Sequence, residues 1–345
     1  MDPEQALSSL NPQQRRAALE QLAAQAGSLP GEGTDVNLHC HTFFSYNPHN
    51  YSPSQFAWLA AQRGLAVAGI VDFDVLDAGL ETRVYVPELA DSEINSPGEP
   101  GISYHMGVGF PSSAVPTGQQ TFLDGLKATA QQRNRDLVAR VNPFTAPVEL
   151  DLERDVLPLT PNGNMTERHL CLAYAKRAAE VFPNPDELAA YWSEKLDTDA
   201  SELDLPDGPK LQAAIRARTM KRGGVGYVKP DGGSFPTLQE TNDFIAASGA
   251  IPTTTWLNGL SDGEKNPERL LDIEMAAGAR ALNIIPDRNF TPGEKDEKLA
   301  KLQEIILVAQ AHDLPVIVGT EMNAPGLKFV DDFASEELAP FVPVF

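Results

Sequence analysis

From Val36 onward the chain repeats one pattern, a short apolar run of strand character beside a stretch of helical periodicity. The strand-like runs are Val36–His39, Val67–Asp72, Leu80–Val86, Tyr104–Phe110, Ala250–Leu257, Ala281–Pro286 and Pro315–Thr320. The helical stretches among them are Pro53–Arg63, Leu238–Ala247, Pro267–Ala277 and Glu294–Ala311. Strands alternating with helices predict an α/β fold with a parallel sheet, open or closed. No Gly-rich phosphate loop follows any of these strands, which argues against a dinucleotide-binding sheet.

Two segments stand outside the pattern. Residues 1–33 read as an N-terminal helical segment (Glu4–Leu10 and Pro12–Ala26) that ends in a Gly- and Pro-containing stretch. Between about 121 and 222 the chain turns helical, over Thr121–Arg140, Thr166–Val181, Asp186–Leu196 and Lys210–Lys221, with breaks at Pro143, Pro158, Pro183, Pro185 and Pro206. No convincing strand lies there, so we expect a helical insertion carried by an α/β domain that spans 34–345.

With 48 acidic against 27 basic residues the net charge is −21, and such a surface repels nucleic acid and anionic membranes. No apolar run approaches the roughly 20 residues that span a bilayer. Residues 1–27 lack the apolar core of a signal peptide, and two cysteines, Cys40 and Cys171, cannot make a disulfide framework. A cytoplasmic globular protein is the expectation.

The chemistry starts at Asn37-Leu38-His39-Cys40-His41-Thr42, where the first strand ends. Residues i and i+2 of a strand share a face, so His39 and His41 can converge on one ion. Two unrelated polar residues at a strand exit is the competing reading, and six histidines in the whole chain weigh against it. Gly69-Ile70-Val71-Asp72-Phe73-Asp74 again ends an apolar strand in carboxylates. That end of the strands holds the active site in α/β barrels, although an Asp capping the next helix is a fair competitor. His49 lies on a polar loop and His312 precedes the last strand, so neither is a leading ligand. Cys40 is expected to face away from the two histidines.

In order along the chain, these residues resemble the PHP domain (polymerase and histidinol phosphatase). The opening motif is matched by Leu38-His39-Cys40-His41-Thr42 with Ser45, and the start of the first helix by Tyr51-Ser52-Pro53. Gly79-Leu80-Glu81 matches a motif that carries a glutamate. Tyr104-His105-Met106-Gly107-Val108-Gly109 matches a histidine-bearing strand, and Met165-Thr166-Glu167-Arg168-His169 a histidine that opens a helix. Gly319-Thr320-Glu321-Met322-Asn323 stands where the family has Gly-Ser-Asp-x-His. The resemblance runs from about Val36 to Asp332.

It implies a distorted seven-stranded (β/α) barrel with a helical insertion, holding divalent metal ions (manganese, iron or zinc) and hydrolysing phosphate esters. Carried over residue by residue, the metal ligands would be His39, His41, Glu81, His105 and Glu321, with Asn323 as a weak neutral donor. Asp72, Asp74 and His169 would be the catalytic candidates. Three departures matter: Phe73 and Asn323 replace family histidines, and Thr253-Thr254-Thr255-Trp256 lacks another. One or two metals, rather than three, is therefore the expectation.

Only six residues separate Asp74 from Glu81, whereas a helical crossover between parallel strands needs a dozen or more. Either a segment is missing there or the strands are joined unusually. Arg83, Arg168, Lys229 and Arg288 stand near the motifs as candidate binders of substrate phosphate, with ordinary surface pairing as the competing reading. The expected activity is a metal-dependent hydrolase, a phosphoesterase acting on a small phosphorylated molecule through a metal-activated water. The alternatives are a PHP-like protein that binds a small anion without turnover, or a metal-dependent hydrolase of a non-phosphate bond.

Overall fold

The computed structural model describes residues 2–230, 233–290 and 293–345. The chain opens with α1 (Pro3–Ala6) and α2 (Pro12–Gln25), followed by β1 (Val36–Cys40) and α3 (Pro53–Arg63). Then come β2 (Val67–Ile70), β3 (Asp72–Phe73), β4 (Leu80–Tyr85) and β5 (Ile102–Val108). Four helices follow: α4 (Gln120–Thr145), α5 (Glu167–Val181), α6 (Pro185–Leu196) and α7 (Pro209–Thr219). The alternation then resumes as α8 (Leu238–Ala247), β6 (Ile251–Trp256), α9 (Pro267–Ala276), β7 (Ala281–Ile284), α10 (Lys295–Ala311) and β8 (Val316–Val318).

Five helices share one start signal. Asp2, Asn11, Ser52, Asn184 and Asn266 accept a hydrogen bond from a first-turn N–H, and proline follows each of them. Proline has no N–H to waste at that position, and the cap satisfies one that the helix itself leaves unpaired. In α4 a proline does not act as a breaker, because the helix runs through Pro143 to Thr145. The expected end at Arg140 is thus too early.

Two compact units form, Met1–Asp124 with Pro230–Phe345, and Gly125–Lys229. Among its described residues the second unit holds helices and no strand. Its core gathers Val141, Leu170, Tyr174, Trp192, Leu211 and Ile215, all fully buried.

The first unit is a mixed α/β structure rich in parallel pairing. β1 and β2 make a parallel pair, and β3 to β8 make a six-stranded sheet in chain order. The sheet departs from uniform parallel order at β5, which runs antiparallel to both β4 and β6. A long turn-rich connection with one short 3-10 turn (Pro87–Leu89), rather than a crossover α-helix, joins β4 to β5, and such a link returns the chain in the opposite direction. The run expected as one strand from Val67 to Asp72 changes partner midway. Ile70 pairs with β1, whereas Asp72 and Phe73 pair with β4.

That switch accounts for the short link. β3 and β4 are parallel, with Phe73 opposite Glu81, and no helix lies between them. The six residues suffice because β3 is only two residues long and the return is bent by left-handed backbone at Asp74 (φ 57°) and Gly79 (φ 105°). A Cβ on Gly79 would lie 2.7 Å from the Ile70 carbonyl, so the turn needs glycine.

Alternation sorts the side chains of the large sheet. Val84, Trp256, Leu282, Ile284 and Val318 leave their strands on the face that packs against Leu270 and Leu271 of α9 and Leu302, Ile305 and Ile306 of α10. Burying each such side chain contributes roughly 1.5–3 kcal/mol, which fixes the register of every strand. Asn283 lies between Leu282 and Ile284 and therefore faces the other way, as do Glu81 and Thr255. A single bridge, Cys40 to Glu321, joins β1 to the segment after β8, and His41 N–H donates to the Glu321 carbonyl at 2.7 Å.

Candidate metal centre

Three buried side chains meet on the face that Asn283 shares. His39, His41 and Glu81 are 0%, 0% and 1% exposed. Among the described residues they form a group whose ligand atoms all lie within 4.8 Å of one another. His39 Nε2 lies 3.2 Å and His41 Nε2 2.8 Å from Glu81 Oε2. Close as it is, His41 Nε2 is buried and has no hydrogen bond.

The far nitrogen of each ring is fixed. Asn283 Nδ2 donates to the Ile317 carbonyl at 3.2 Å, which leaves its Oδ1 to accept from His39 Nδ1–H at 2.9 Å. Ser45 Oγ donates to Asp72 Oδ1 at 2.5 Å and so accepts from His41 Nδ1–H at 2.8 Å. Asp72 is held in turn by Thr42 N–H at 2.9 Å and Thr42 Oγ–H at 2.6 Å. Both imidazoles therefore carry a proton on Nδ1 and aim Nε2 at the carboxylate. Metal-binding histidines are oriented by this kind of partner.

Three acceptors facing one another repel unless a proton or a cation lies between them. Burial alone would raise the Glu81 carboxyl, but the charges of His39 and His41 and the His39 hydrogen bond outweigh it and hold the group at about 2. Burial works to lower His39, yet Glu81, with Glu321 and Asn283 adding to it, brings its value above the ordinary one. Asp72 goes the other way: burial raises it, against the opposing pull of His41, Ser45 and Thr42. Two imidazole nitrogens and one carboxylate, with further positions left for water or substrate, suit a divalent transition ion.

His105 pairs in register with Thr82, next to Glu81, so it leaves the sheet on the helix side. There its Nε2 lies 2.5 Å from Asn242 Oδ1 of α8 and its Nδ1 3.5 Å from Glu274 Oε2 of α9. It is not among the converging ligands, because a strand residue one step out of register faces the opposite way. Asp74 accepts from Thr82 Oγ–H at 2.6 Å, also away from Glu81. Glu321 has left-handed backbone (φ 60°), contributes to the field at His39, and pairs with Arg288 at 2.9 Å. Asn323 is half-buried.

Arg83 lies on the Glu81 face of β4 and is paired with Glu99. Lys229 is exposed, and both it and Arg168 belong to the second unit. His169 belongs there too. Its Nδ1 accepts from Thr166 N–H at 3.1 Å, a capping box at the start of α5, and burial lowers its value to about 4. Cys40 is buried with Sγ 3.5 Å from Met322 Sδ, and burial with the nearby Asp72 charge pushes its thiol well up. It does not furnish a thiolate.

Sequence reasoning missed Asn283. The signal was one polar residue within the apolar run Ala281–Ile284, whose neighbours are all buried. It also missed Glu264, which is buried and accepts three backbone N–H groups, from Leu257, Asn258 and Gly259, where β6 ends.

No family model matches the chain, and no curated protein sequence matches it. Solved structures do. One is an amidohydrolase from Chromobacterium violaceum, a structure with sulfate bound and no metal, at 17% identity and a TM-score of 0.55 over 86% of this chain and 91% of that one. Another is a protein from Bifidobacterium adolescentis assigned as a metal-dependent phosphoesterase, at 16% identity and a TM-score of 0.58 over 91% of this chain and 97% of that one. The chain shares the fold of both. No helix among its described residues is long and apolar enough to cross a membrane.

Proposed function

We propose that the chain is a metal-dependent hydrolase, a divergent PHP-like phosphoesterase whose strands close into a distorted barrel about the His39, His41 and Glu81 site. The observation that carries this reading is the orphaned, fully buried His41 Nε2, 2.8 Å from a carboxylate oxygen. A divalent ion held by the three side chains would supply Lewis-acid chemistry to a water and to an anionic ester oxygen.

The protein's own residues do the rest. Asp72, through Ser45, keeps the His41 proton on Nδ1, and Asn283 does the same for His39. Arg288, beside Glu321, offers positive charge to a phosphate at the strand exits. Asp72 has both oxygens engaged by Thr42 and Ser45, so its part is positioning rather than proton transfer to substrate. The fold it shares with an amidohydrolase supports a second reading, in which the same site cleaves a C–N or C–O bond.

Metal content of protein purified without added metal, followed by turnover of an aryl phosphate with manganese, iron or zinc, tests the proposal. Bound metal with turnover that is lost in His41→Ala is the expected result. Absence of metal under every condition refutes it, and metal without phosphate turnover moves the amide or ester reading ahead.

A further inference from the structure

The connection from β4 to β5 holds an anion of its own against the site face. β4 runs parallel to β3 and Glu81 stands opposite Phe73, the last residue of β3. Later residues of β4 therefore lie beyond the strand ends, on the side where the candidate ligands emerge. Arg83 is two residues past Glu81 on the same face, a step of roughly 7 Å. Its register partner is Tyr104, whose ring is 5.8 Å from Phe73, and Phe73 in turn lies 4.5 Å from the His41 ring. An unbroken line of contacts leads from His41 to Arg83.

The Arg83 guanidinium rests on the Phe235 ring at 4.4 Å. Its Nη1 donates to Glu99 Oε1 at 2.9 Å and Oε2 at 2.8 Å, and Ser96 Oγ donates to Glu99 Oε2 at 2.5 Å. Both partners of the ion pair are largely buried, at 17% and 13% exposure. A guanidinium fork with a hydroxyl beside it is a general receptor for carboxylate or phosphate oxygens.

The segment that brings Glu99 in is anchored at both ends. Asn95 Nδ2 donates to the Thr255 carbonyl and its Oδ1 accepts from Tyr104 N–H, each at 2.6 Å. Gly101 N–H donates to the Ser92 carbonyl at 2.9 Å, and its own carbonyl accepts from Val86 N–H at 2.8 Å. Between these ties, Ser96–Pro100 is a short flap with left-handed backbone at Gly98.

We propose that Arg83, with Ser96, is an anion subsite for the substrate in addition to Arg288, and that Glu99 is a built-in competitor which the substrate displaces. In naming that group a phosphate the proposal rests on the hydrolase reading above. A dianionic phosphate outcompetes a single carboxylate at the fork because it brings more charge and more acceptor oxygens. Glu99 is then released to solvent while Ser96 stays beside Arg83. In a chain of net charge −21 the device also turns away weakly charged anions.

Calorimetric titration with inorganic phosphate tests this. Glu99→Gln removes the competing charge and is expected to tighten phosphate about tenfold, equivalent to about 1.4 kcal/mol. Glu99→Ala is expected to act in the same direction and serves if the amide variant folds poorly. Adding Arg83→Met to either variant is expected to abolish the gain. The titration is repeated in a His41→Ala background, where a tightening that survives supports the subsite even if the hydrolase reading fails. Unchanged or weaker phosphate binding on loss of Glu99, or a gain that survives Arg83→Met, overturns the proposal.

Discussion

Glu81 and His105 stand on adjacent antiparallel strands, one register step apart, and serve opposite faces of the sheet. Glu81 is opposite Met106, while His105 is opposite Thr82. The step sends the carboxylate to His39 and His41 and the imidazole to Asn242 and Glu274. Asn242 Nδ2 donates to the Ala277 carbonyl at 2.8 Å, so its Oδ1 accepts from His105 Nε2–H. Nδ1 is left facing Glu274, a carboxylate with 0% exposure and no hydrogen bond to either oxygen.

Substitution should therefore separate the two residues. Glu81→Gln is expected to cut metal affinity more than a change in a supporting residue would, with a modest effect on stability. His105→Leu should leave metal content unchanged and cost about 3 kcal/mol or more, because Glu274 loses its buried partner. Metal analysis and denaturant melts of both variants check this, and loss of metal in His105→Leu would place that histidine at the ion after all.

Asn283→Ala removes the acceptor that fixes the His39 proton on Nδ1 and touches none of the three ligand atoms. Metal affinity is expected to fall about 10–100-fold, the usual cost of losing a partner that orients a ligand. Competition with a chromogenic chelator measures it. Wild-type affinity in Asn283→Ala would show that packing alone orients the His39 ring.

What the sequence disclosed follows from which forces are local. The His39–His41 spacing was legible because strand alternation is a property of three consecutive residues. The helix starts at Pro53 and Pro267 were legible because a proline in the first turn is also a local signal. Asn283 was not, since it is 244 positions from His39 and only the packing of β1 against β8, the neighbour of β7, brings it there. His105 was misplaced because a motif gives the residue but not the register, and one step of register reverses the face. The partner switch at Val71 was hidden too, because a strand that changes partner keeps its apolar pattern throughout.

Gly319 provides a steric test of how β8 passes β1. A Cβ there would lie 2.3 Å from the His39 backbone nitrogen and 2.5 Å from its Cβ, well inside contact distance. Neither atom belongs to a flexible side-chain end that could swing away. Gly319→Ala is expected to cost about 3 kcal/mol and to weaken metal binding as well, since the strand carrying His39 must move. Denaturant unfolding with a parallel metal assay is the measurement. Stability and metal content both at wild-type levels would mean that β1 and β8 have room to separate.

The Glu264 carboxylate fastens the end of β6. It accepts from Leu257, Asn258 and Gly259 N–H at 2.7, 3.1 and 2.8 Å, yet burial outweighs these bonds and pushes its carboxyl up to about 7. The ordinary value is 4.5. Because the folded value is the higher one, the native state holds the extra proton between the two. Its contribution to stability is full below about pH 4.5 and is lost as pH rises towards 7. A titration between these two values is worth at most about 3 kcal/mol. Glu264→Gln removes the titration while other groups stay as they are, so the informative quantity is wild-type minus variant stability against pH. That difference is expected to fall by up to about 3 kcal/mol between pH 4 and 8. A flat or rising curve would show that the three N–H groups outweigh burial and that Glu264 stays ionised throughout.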